Sequence, residues 1–417
     1  MLDIKKIRED TKAVELSLKK RVGKEVDLNL DKIIALDDDR KKIIPELENL
    51  KSTKNKLSKV KPDEATIKSI KETNISIKDL ENKLNLVEIE LKDKLSALPN
   101  IVADDVVAGG KENNQVIYTF GEKPQFSFEA KNHVDLAEDL DIIDYKRAVK
   151  MSGAGFWAYK GAGALLEWAL LSYFISFHHK NNYTFLIPPF LLNETSAYSS
   201  GHLPKFREDL FWTEDKLCLN PTAEMMLGNY HRDEVLKEED LPLKYYAYSP
   251  CFRREAGSYR QEERGMIRGH QFNKVELFQY TKPENSWIVF DEMKDQIVKL
   301  LEGLNLHFQI SNLAAGDCSS AMAKTVDLEV WIPSMGIYKE VSSISNALDY
   351  QARRSNIRVK DSKGDIYFPH TLNGSGLATS RLIPAILEQN QQADGSIKIP
   401  EVLKPFLPLD LDVISKK

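Results

Sequence analysis

The chain is nearly without cysteine: Cys218, Cys251 and Cys318 are the only three in 417 residues. They lie far apart with no CxxC spacing, which argues against a structural zinc site and a disulfide framework and fits a reducing cytosol. No apolar run is long enough to cross a membrane. The first residues, "MLDIKKIRED", mix acids with bases and offer no apolar segment for a signal peptide. An excess of basic charge is also missing. Lys and Arg number 58 against 63 Asp and Glu, a net charge of -5, so contact with a nucleic acid would need a local basic patch. Two common nucleotide-binding loops are absent as well. "GGKEN" has no Ser or Thr after Lys111, and "SGAGFWAYKGAG" does not follow an apolar strand, so tight turns explain its glycines. Histidine is scattered, and the pair His178–His179 is expected to cap a helix end rather than hold a metal.

The largest local absence covers residues 1–100, which contain no aromatic residue and a single glycine, Gly23. What they do contain is periodic. Ile70, Thr73, Ile77, Leu80, Leu84, Val87, Leu91, Lys94 and Leu98 alternate steps of three and four, the seam of a long helix. A weaker seam precedes it: Leu36, Arg40, Ile43, Leu47, Leu50, Lys54 and Leu57. Pro62 and Asp63 between them signal a turn. The spacing predicts an antiparallel helical hairpin, with arms of roughly 45 Å at about 1.5 Å per residue. Pro45 is expected to bend the first arm, because it denies the Lys41 carbonyl its donor. Residues 51–80 hold eight lysines against four acids, a local net charge of +4. That is either a solvated face or a surface for phosphates.

"LPNIVADDVVAGGKENN" then reads as a linker, and aromatics and glycine appear after it. The expected layout is an N-terminal arm over 1–100, a linker over 101–115 and a second domain over 116–417. A helix is expected near 162–179. Short strands follow: "YTFLIPPFLL", "DLFWT", "LKYYAYSPCFRRE", "NKVELFQY", "LEVWIP" and "YKEVSSIS". A last helix comes after "LNGSG". Strands in a row between a few helices point to an antiparallel α+β domain rather than a doubly wound one.

Inside that domain "SPCFRREAGSYRQEERGMIRGHQF" concentrates Arg253, Arg254, Arg260, Arg264 and Arg268 on a strand, a loop and a strand. Guanidinium groups bind phosphate and carboxylate oxygens bidentately. Phe272 could stack on a purine, and Glu276 on the same strand could take a small donor. The competing reading is a surface hairpin whose arginines pair with Glu255, Glu262 and Glu263.

Further segments decide between them. "FRREAG", "RGMIRGHQFNKVE", "PTAE", "EVSSISN", "DYQARR" and "TLNGSGLA", in this order and spacing, closely resemble bacterial-type seryl-tRNA synthetases, a class II aminoacyl-tRNA synthetase family. The resemblance covers essentially the whole chain and implies a class II catalytic domain behind a coiled-coil arm. It implies a ligase that activates L-serine with ATP and transfers it to tRNA(Ser), and to tRNA(Sec) where one is present. It implies that Arg253, Arg268 and Arg381 are catalytic. Arg253 would meet the α-phosphate and the serine carboxylate, Glu255 the adenine edge, and Phe272 the adenine face. Arg268 and Arg381 would hold the γ-phosphate. Arg254, Glu340, Val341, Ser342 and Ser343 complete the ATP set, with Glu340 and Ser343 at the Mg²⁺ position and no zinc. Thr222, Ala223, Glu224, Glu276, Asn373 and Ser375, with Arg253, match the serine pocket. Lys51, Lys54, Lys56 and Lys59 on the arm are the expected tRNA contacts. A cytoplasmic homodimer without membrane association is implied, with 187–212 at its interface.

The chain departs from the family in three places. Tyr259–Arg260–Gln261 replaces a small glycine-containing turn, with Gln261 where the family has a basic residue. Thr379–Ser380 replaces Val-Gly before Arg381, and Pro384 falls inside the last helix. An amino-acid-activating paralogue serving a carrier protein would usually lack the long arm. A catalytically dead RNA-binding scaffold would not be expected to keep Arg253, Arg268, Glu276, Glu340 and Arg381.

Overall fold

The computed structural model describes residues 1–22, 27–59, 63–255, 265–408 and 411–416. The chain divides into two compact units, 1–101 and 102–417.

In the first unit, α1 (Ile4–Glu9) and α2 (Thr11–Val22) precede two long helices, α3 (Leu30–Leu57) and α4 (Glu64–Ala97). Asp63 starts α4 as its N-cap, accepting from the Thr66 amide at 2.7 Å. Pro62, the other half of the expected turn signal, lies outside the described residues. Every seam position from Ile70 to Leu98 is buried or half-buried, whereas Ile67, Ile75, Leu86 and Ile89 are exposed. Ion pairs join the helices: Lys32 to Glu90 (2.6 Å), Arg40 to Glu88 (3.3 Å) and Lys51 to Glu81 (2.7 Å). Numbers rise on α3 as they fall on α4, so the two run antiparallel. These partly exposed pairs contribute at most about 1 kcal/mol each; the seam carries the association. α3 continues unbroken through Pro45. Both Pro45 and Lys41 are exposed, so water can replace the donor that the Lys41 carbonyl lacks.

The second unit is built on an eight-stranded sheet. Its strands are β1 (Gln115–Phe120), β2 (Thr184–Leu186), β3 (Leu243–Phe252), β4 (Gln271–Thr281), β5 (Phe308–Asn312), β6 (Lys324–Ile332), β7 (Ile337–Leu348) and β8 (His370–Ala378). The order is β1-β5-β6-β7-β8-β4-β3-β2. Neighbours are antiparallel except at one edge, where β2 runs parallel to β3. "DLFWT" is not one of these strands. A short 3₁₀ turn ends at Asp209, and Trp212 makes only an isolated bridge to Cys218. "TLNGSGLA", which is not among the expected strands, lies in strand β8.

The alternation of side chains along each strand sorts the two faces. On β6, Val326, Leu328 and Val330 enter the core, while Thr325, Asp327 and Glu329 line a cleft on the other face. Helices α5 (His133–Asp139), α6 (Ala162–Lys180) and α8 (Ser286–Glu302) bring residues to that core, together with α10 (Thr379–Gln389). Two shorter helices, α7 (Ala223–Leu227) and α9 (Tyr350–Arg354), lie outside it. On β8, Asn373 and Ser375 line the cleft, and Gly374 and Gly376 face the helices. A Cβ on Gly374 would stand 2.9 Å from Ile297 Cδ1, and one on Gly376 would stand 2.2 Å from His178 Nε2. The glycines of this strand therefore mark close helix–sheet approach, not a turn. His178 is not a solvent-facing cap. It is fully buried between Gly376 O (2.9 Å) and Gln296 Nε2 (3.0 Å), and burial pulls its pKa down to about 4.

Gly374→Ala is expected to lower the stability of the 102–417 unit by about 1–3 kcal/mol through overpacking against α8. The readout is a drop in the denaturation midpoint. An unchanged midpoint would mean that α8 is not seated this closely.

Candidate active site

A cleft of about 840 Å³ opens on the polar face of the sheet. Its floor is a buried polar set from neighbouring strands. Lys274 and Glu276 stand two residues apart on β4, hence on one face. Lys274 Nζ lies 2.6 Å from Glu276 Oε2 and donates to Thr222 Oγ1 at 2.7 Å. Ser375 on β8 is in register with Glu276 and donates its hydroxyl to Oε2 at 3.1 Å. Thr222 caps α7, accepting from the Glu224 amide at 3.3 Å. Glu224 Oε1 accepts from Gln351 Nε2 at 2.7 Å. Burial, and then the nearby Glu276, push the Glu224 carboxyl up to about 7.

Beyond this floor, three guanidinium groups are each tethered by protein acceptors. Arg253 follows the end of β3, where its amide donates to His270 O at 2.9 Å. Its Nε donates to Pro221 O at 3.3 Å, and its guanidinium sits over the Phe272 ring, 5.1 Å from the centroid. Arg268 donates to Glu255 Oε2 through Nε and lies 2.6 Å from the same oxygen through Nη2. Arg381, in the first turn of α10, donates through Nε to Ile267 O (3.1 Å) and through Nη1 to Glu340 O (2.9 Å).

An acidic wall adjoins Arg381. Ser343 donates to Asp327 Oδ1 at 2.7 Å. Burial, and next the charge of Glu340, hold the Asp327 carboxyl well above the usual carboxylate range. Arg381 Nη1, 3.4 Å from Glu340 Oε2, offsets part of this charge and a divalent cation would offset more; the Glu340 carboxylate and Ser343 hydroxyl are hard oxygen donors of the right kind for Mg²⁺. Among the described residues no three His, Cys, Asp or Glu side chains converge as a metal site, so ligand and water oxygens would complete the shell.

Most site residues expected from sequence meet here, including Thr222, Glu224, Asn373 and Ser343. Five do not line the cleft. Arg254 is exposed, with its amide on Asp209 O. Phe272 stands behind Arg253 and is half-buried. Ala223 and Val341 are packed in apolar clusters, and Ser342 donates to Ser375 O at 2.5 Å. Tyr259, Arg260, Gln261 and Arg264 lie outside the described residues. In the first unit, Lys56 and Lys59 are exposed, Lys54 is half-buried, and Lys51 is paired with Glu81.

Lys274, Gln351 and Asp327 escaped the sequence reading. The alternation in "QFNKVELF" could have found Lys274, since it shares a face with Phe272 and Glu276. Gln351 and Asp327 carry no local signal; the fold alone brings them in. His202 was also missed. The Ser200 hydroxyl lies 3.1 Å from Ala197 O and 2.9 Å from His202 Nδ1. Burial and the cations Arg253, Lys274 and Arg354 pull its pKa down to about 3, so it stays neutral.

Residues 1–102 match the Seryl-tRNA synthetase N-terminal domain, and residues 208–390 match the tRNA synthetase class II core domain (G, H, P, S and T). The chain is 52% identical to Serine--tRNA ligase 2 of Clostridium acetobutylicum, over 98% of this chain and 100% of that one. Its fold is similar to a crystal structure of seryl-tRNA synthetase from Pyrococcus horikoshii complexed with ATP. The TM-score is 0.92 at 33% identity, covering both chains fully. It is also similar to a cytoplasmic serine-tRNA ligase from Naegleria fowleri in complex with AMP, with a TM-score of 0.88 at 29% identity, over 100% and 99% of the two chains.

The buried Lys274–Glu276 pair generates a prediction that needs no ligand. Lys274→Met should cost about 3–5 kcal/mol, because Glu276 is left charged and buried without its partner. The double variant Lys274→Met/Glu276→Met should recover most of that loss in a denaturant titration. A single variant as stable as the parent would show that the pair is solvated.

Proposed function

The chain belongs to the seryl-tRNA synthetases, and from that premise we propose how its cleft joins serine, ATP and tRNA. The enzyme activates serine with ATP and attaches it to tRNA. The observation that carries the residue-level reading is one cleft holding a buried Thr222–Lys274–Glu276–Ser375 set beside three tethered guanidiniums.

Serine binds on the floor. Glu276 and Glu224 take its ammonium and hydroxyl, and Thr222, Asn373 and Ser375 supply further polar contacts. Arg253 spans the serine carboxylate and the α-phosphate. ATP lies bent, with adenine on Phe272 and the Glu255 main chain, while Arg268 and Arg381 hold the γ-phosphate. Arg268 must leave Glu255 Oε2 to do so, and it exchanges one anionic acceptor for another. Mg²⁺, held by Glu340 and Ser343 with phosphate oxygens, would supply positive charge to the departing pyrophosphate.

The carboxylate oxygen attacks the α-phosphorus, the bond to pyrophosphate breaks, and seryl-adenylate forms. No side chain need act as nucleophile or base in this step. The work is alignment and charge neutralisation. In the second step a 3′-terminal ribose hydroxyl of tRNA attacks the seryl carbonyl, and AMP leaves with its electron pair. A floor that hydrogen-bonds the serine hydroxyl leaves polar groups unpaired when alanine binds, a penalty of up to about 10⁴–10⁵-fold.

Residues 1–100 form the tRNA-binding arm in this reading, with Lys51, Lys54, Lys56 and Lys59 on phosphates, and 116–417 the catalytic domain. The protein works as a cytoplasmic homodimer, to which the exposed Ile187 and Leu191 of the 187–212 segment would contribute.

Serine-dependent ATP–pyrophosphate exchange tests the first half. Glu276→Ala should raise the KM for serine about 100-fold and the KM for ATP far less. Equal losses would reduce Glu276 to a structural partner of Lys274. Replacing 31–97 by a Gly/Ser linker should spare exchange and abolish charging of tRNA. An armless protein that charged tRNA normally would contradict the role given to the arm.

A further inference from the structure

Glu167 takes no part in the chemistry above, yet it ties together three elements that carry it. It lies on α6 and is 3% exposed. Its Oε1 accepts from Asn273 Nδ2 on β4 and from the Thr379 hydroxyl that opens α10, each at 2.7 Å. The Thr379 hydroxyl also reaches Asn273 O at 3.2 Å, and Tyr248 OH on β3 donates to Asn273 Oδ1 at 3.1 Å. Arg381 follows Thr379 by two residues, in the same helical turn. Ala378, before that turn, offers no side-chain cap. The Thr379 hydroxyl is thus a side-chain tie between the start of α10 and both β4 and α6.

We propose that Glu167 is a positioning residue for Arg381, acting through Thr379, and that the anchor tightens when Glu167 ionises. The inference rests on the reading of Arg381 as a γ-phosphate contact.

Burial pushes the Glu167 carboxyl up to about 7. The groups that face it are Tyr159, Tyr248, Asn273 and Thr379, none of them a cation. The Tyr159 hydroxyl faces the Glu167 carboxyl and the Thr379 hydroxyl. Both tyrosines are pushed above their usual range, so they stay neutral while Glu167 titrates. An ionised acceptor holds a hydroxyl more tightly than a neutral one. The grip on ATP should therefore improve as pH rises through about 7. Stability runs the other way. A carboxyl raised on folding favours the folded state while protonated, and that contribution is lost as pH rises through the folded value. Glu167 thus weakens the fold in the range where it strengthens the site, an opposition that a purely structural residue would not show.

The test is serine-dependent pyrophosphate exchange by the full chain between pH 6 and 8, alongside thermal melts. In the parent, the KM for ATP should fall about threefold to tenfold across that range. Glu167→Gln, which keeps the shape and the acceptor, should hold it flat at the acidic level while raising the melting temperature at pH 8. Thr379→Val should raise the KM for ATP about tenfold with that for serine changed less than about twofold, and Thr379→Ser should restore most of it. Glu224 also titrates near 7, but it is common to all these variants, so their difference isolates Glu167. A Glu167→Gln profile with the parental slope would overturn the proposal, as would equal rises in both KM values for Thr379→Val. An Arg381→Ala variant with unchanged KM for ATP would instead overturn the underlying reading of Arg381, a failure distinguishable because the Glu167–Thr379 anchor is left intact.

Discussion

The registration of β8 against β4 is the constraint on which the rest of the site depends. It sets Ser375 opposite Glu276, and the two-residue period then sends Asn373, Lys274 and Glu276 to the cleft while Gly374, Val275 and Leu277 go to the helices. A slip of one residue would bury the charges among α6, α8 and α10 and put the apolar set in water. The glycines fix that register sterically, because only a residue without a Cβ fits beneath Ile297 and His178. The buried Lys274–Glu276 pair fixes it electrostatically, because a slip would separate two buried charges that lie 2.6 Å apart. The same arrangement that specifies the fold therefore leaves a preorganised polar floor.

The guanidinium groups follow a second rule. Each comes from a different place, the end of β3, the last residues before β4 and the first turn of α10, and each is tethered by at least one protein oxygen. Long side chains held this way have already lost much of their rotamer freedom before ligand arrives. Positioned charge is what a phosphoryl displacement without a protein nucleophile needs. The acidic wall of Asp327 and Glu340 balances the arginines and gives the cleft a place of each sign.

Much of this was legible in the sequence, for definable reasons. The hairpin seam was readable because a 3.5-residue period over nine positions has little else to mean, and all nine positions are at least half-buried. The arginine cluster stood out because its residue types are few and close together, but by itself it left a surface hairpin equally open, and Arg268 does pair with Glu255. What was hidden depended on distance along the chain. His178 looked like a terminal cap because its partners, Gly376 and Gln296, lie more than a hundred residues away. "TLNGSGLA" was not among the expected strands because propensity disfavours glycine there, and helix packing overrode it. "DLFWT" had strand composition, but it forms only a 3₁₀ turn and an isolated bridge instead of joining the sheet. Lys274 was hidden because one lysine in an alternating strand reads as solvent-facing until the opposite face proves to be a cleft.

The most direct measurement is a crystal structure with a non-hydrolysable seryl-adenylate analogue. The account places its seryl group between Thr222, Glu276 and Ser375, its phosphate mimic on Arg253 and its adenine on Phe272. An analogue bound with its adenine on the Lys274–Glu276 floor, or outside this cleft, would contradict the account.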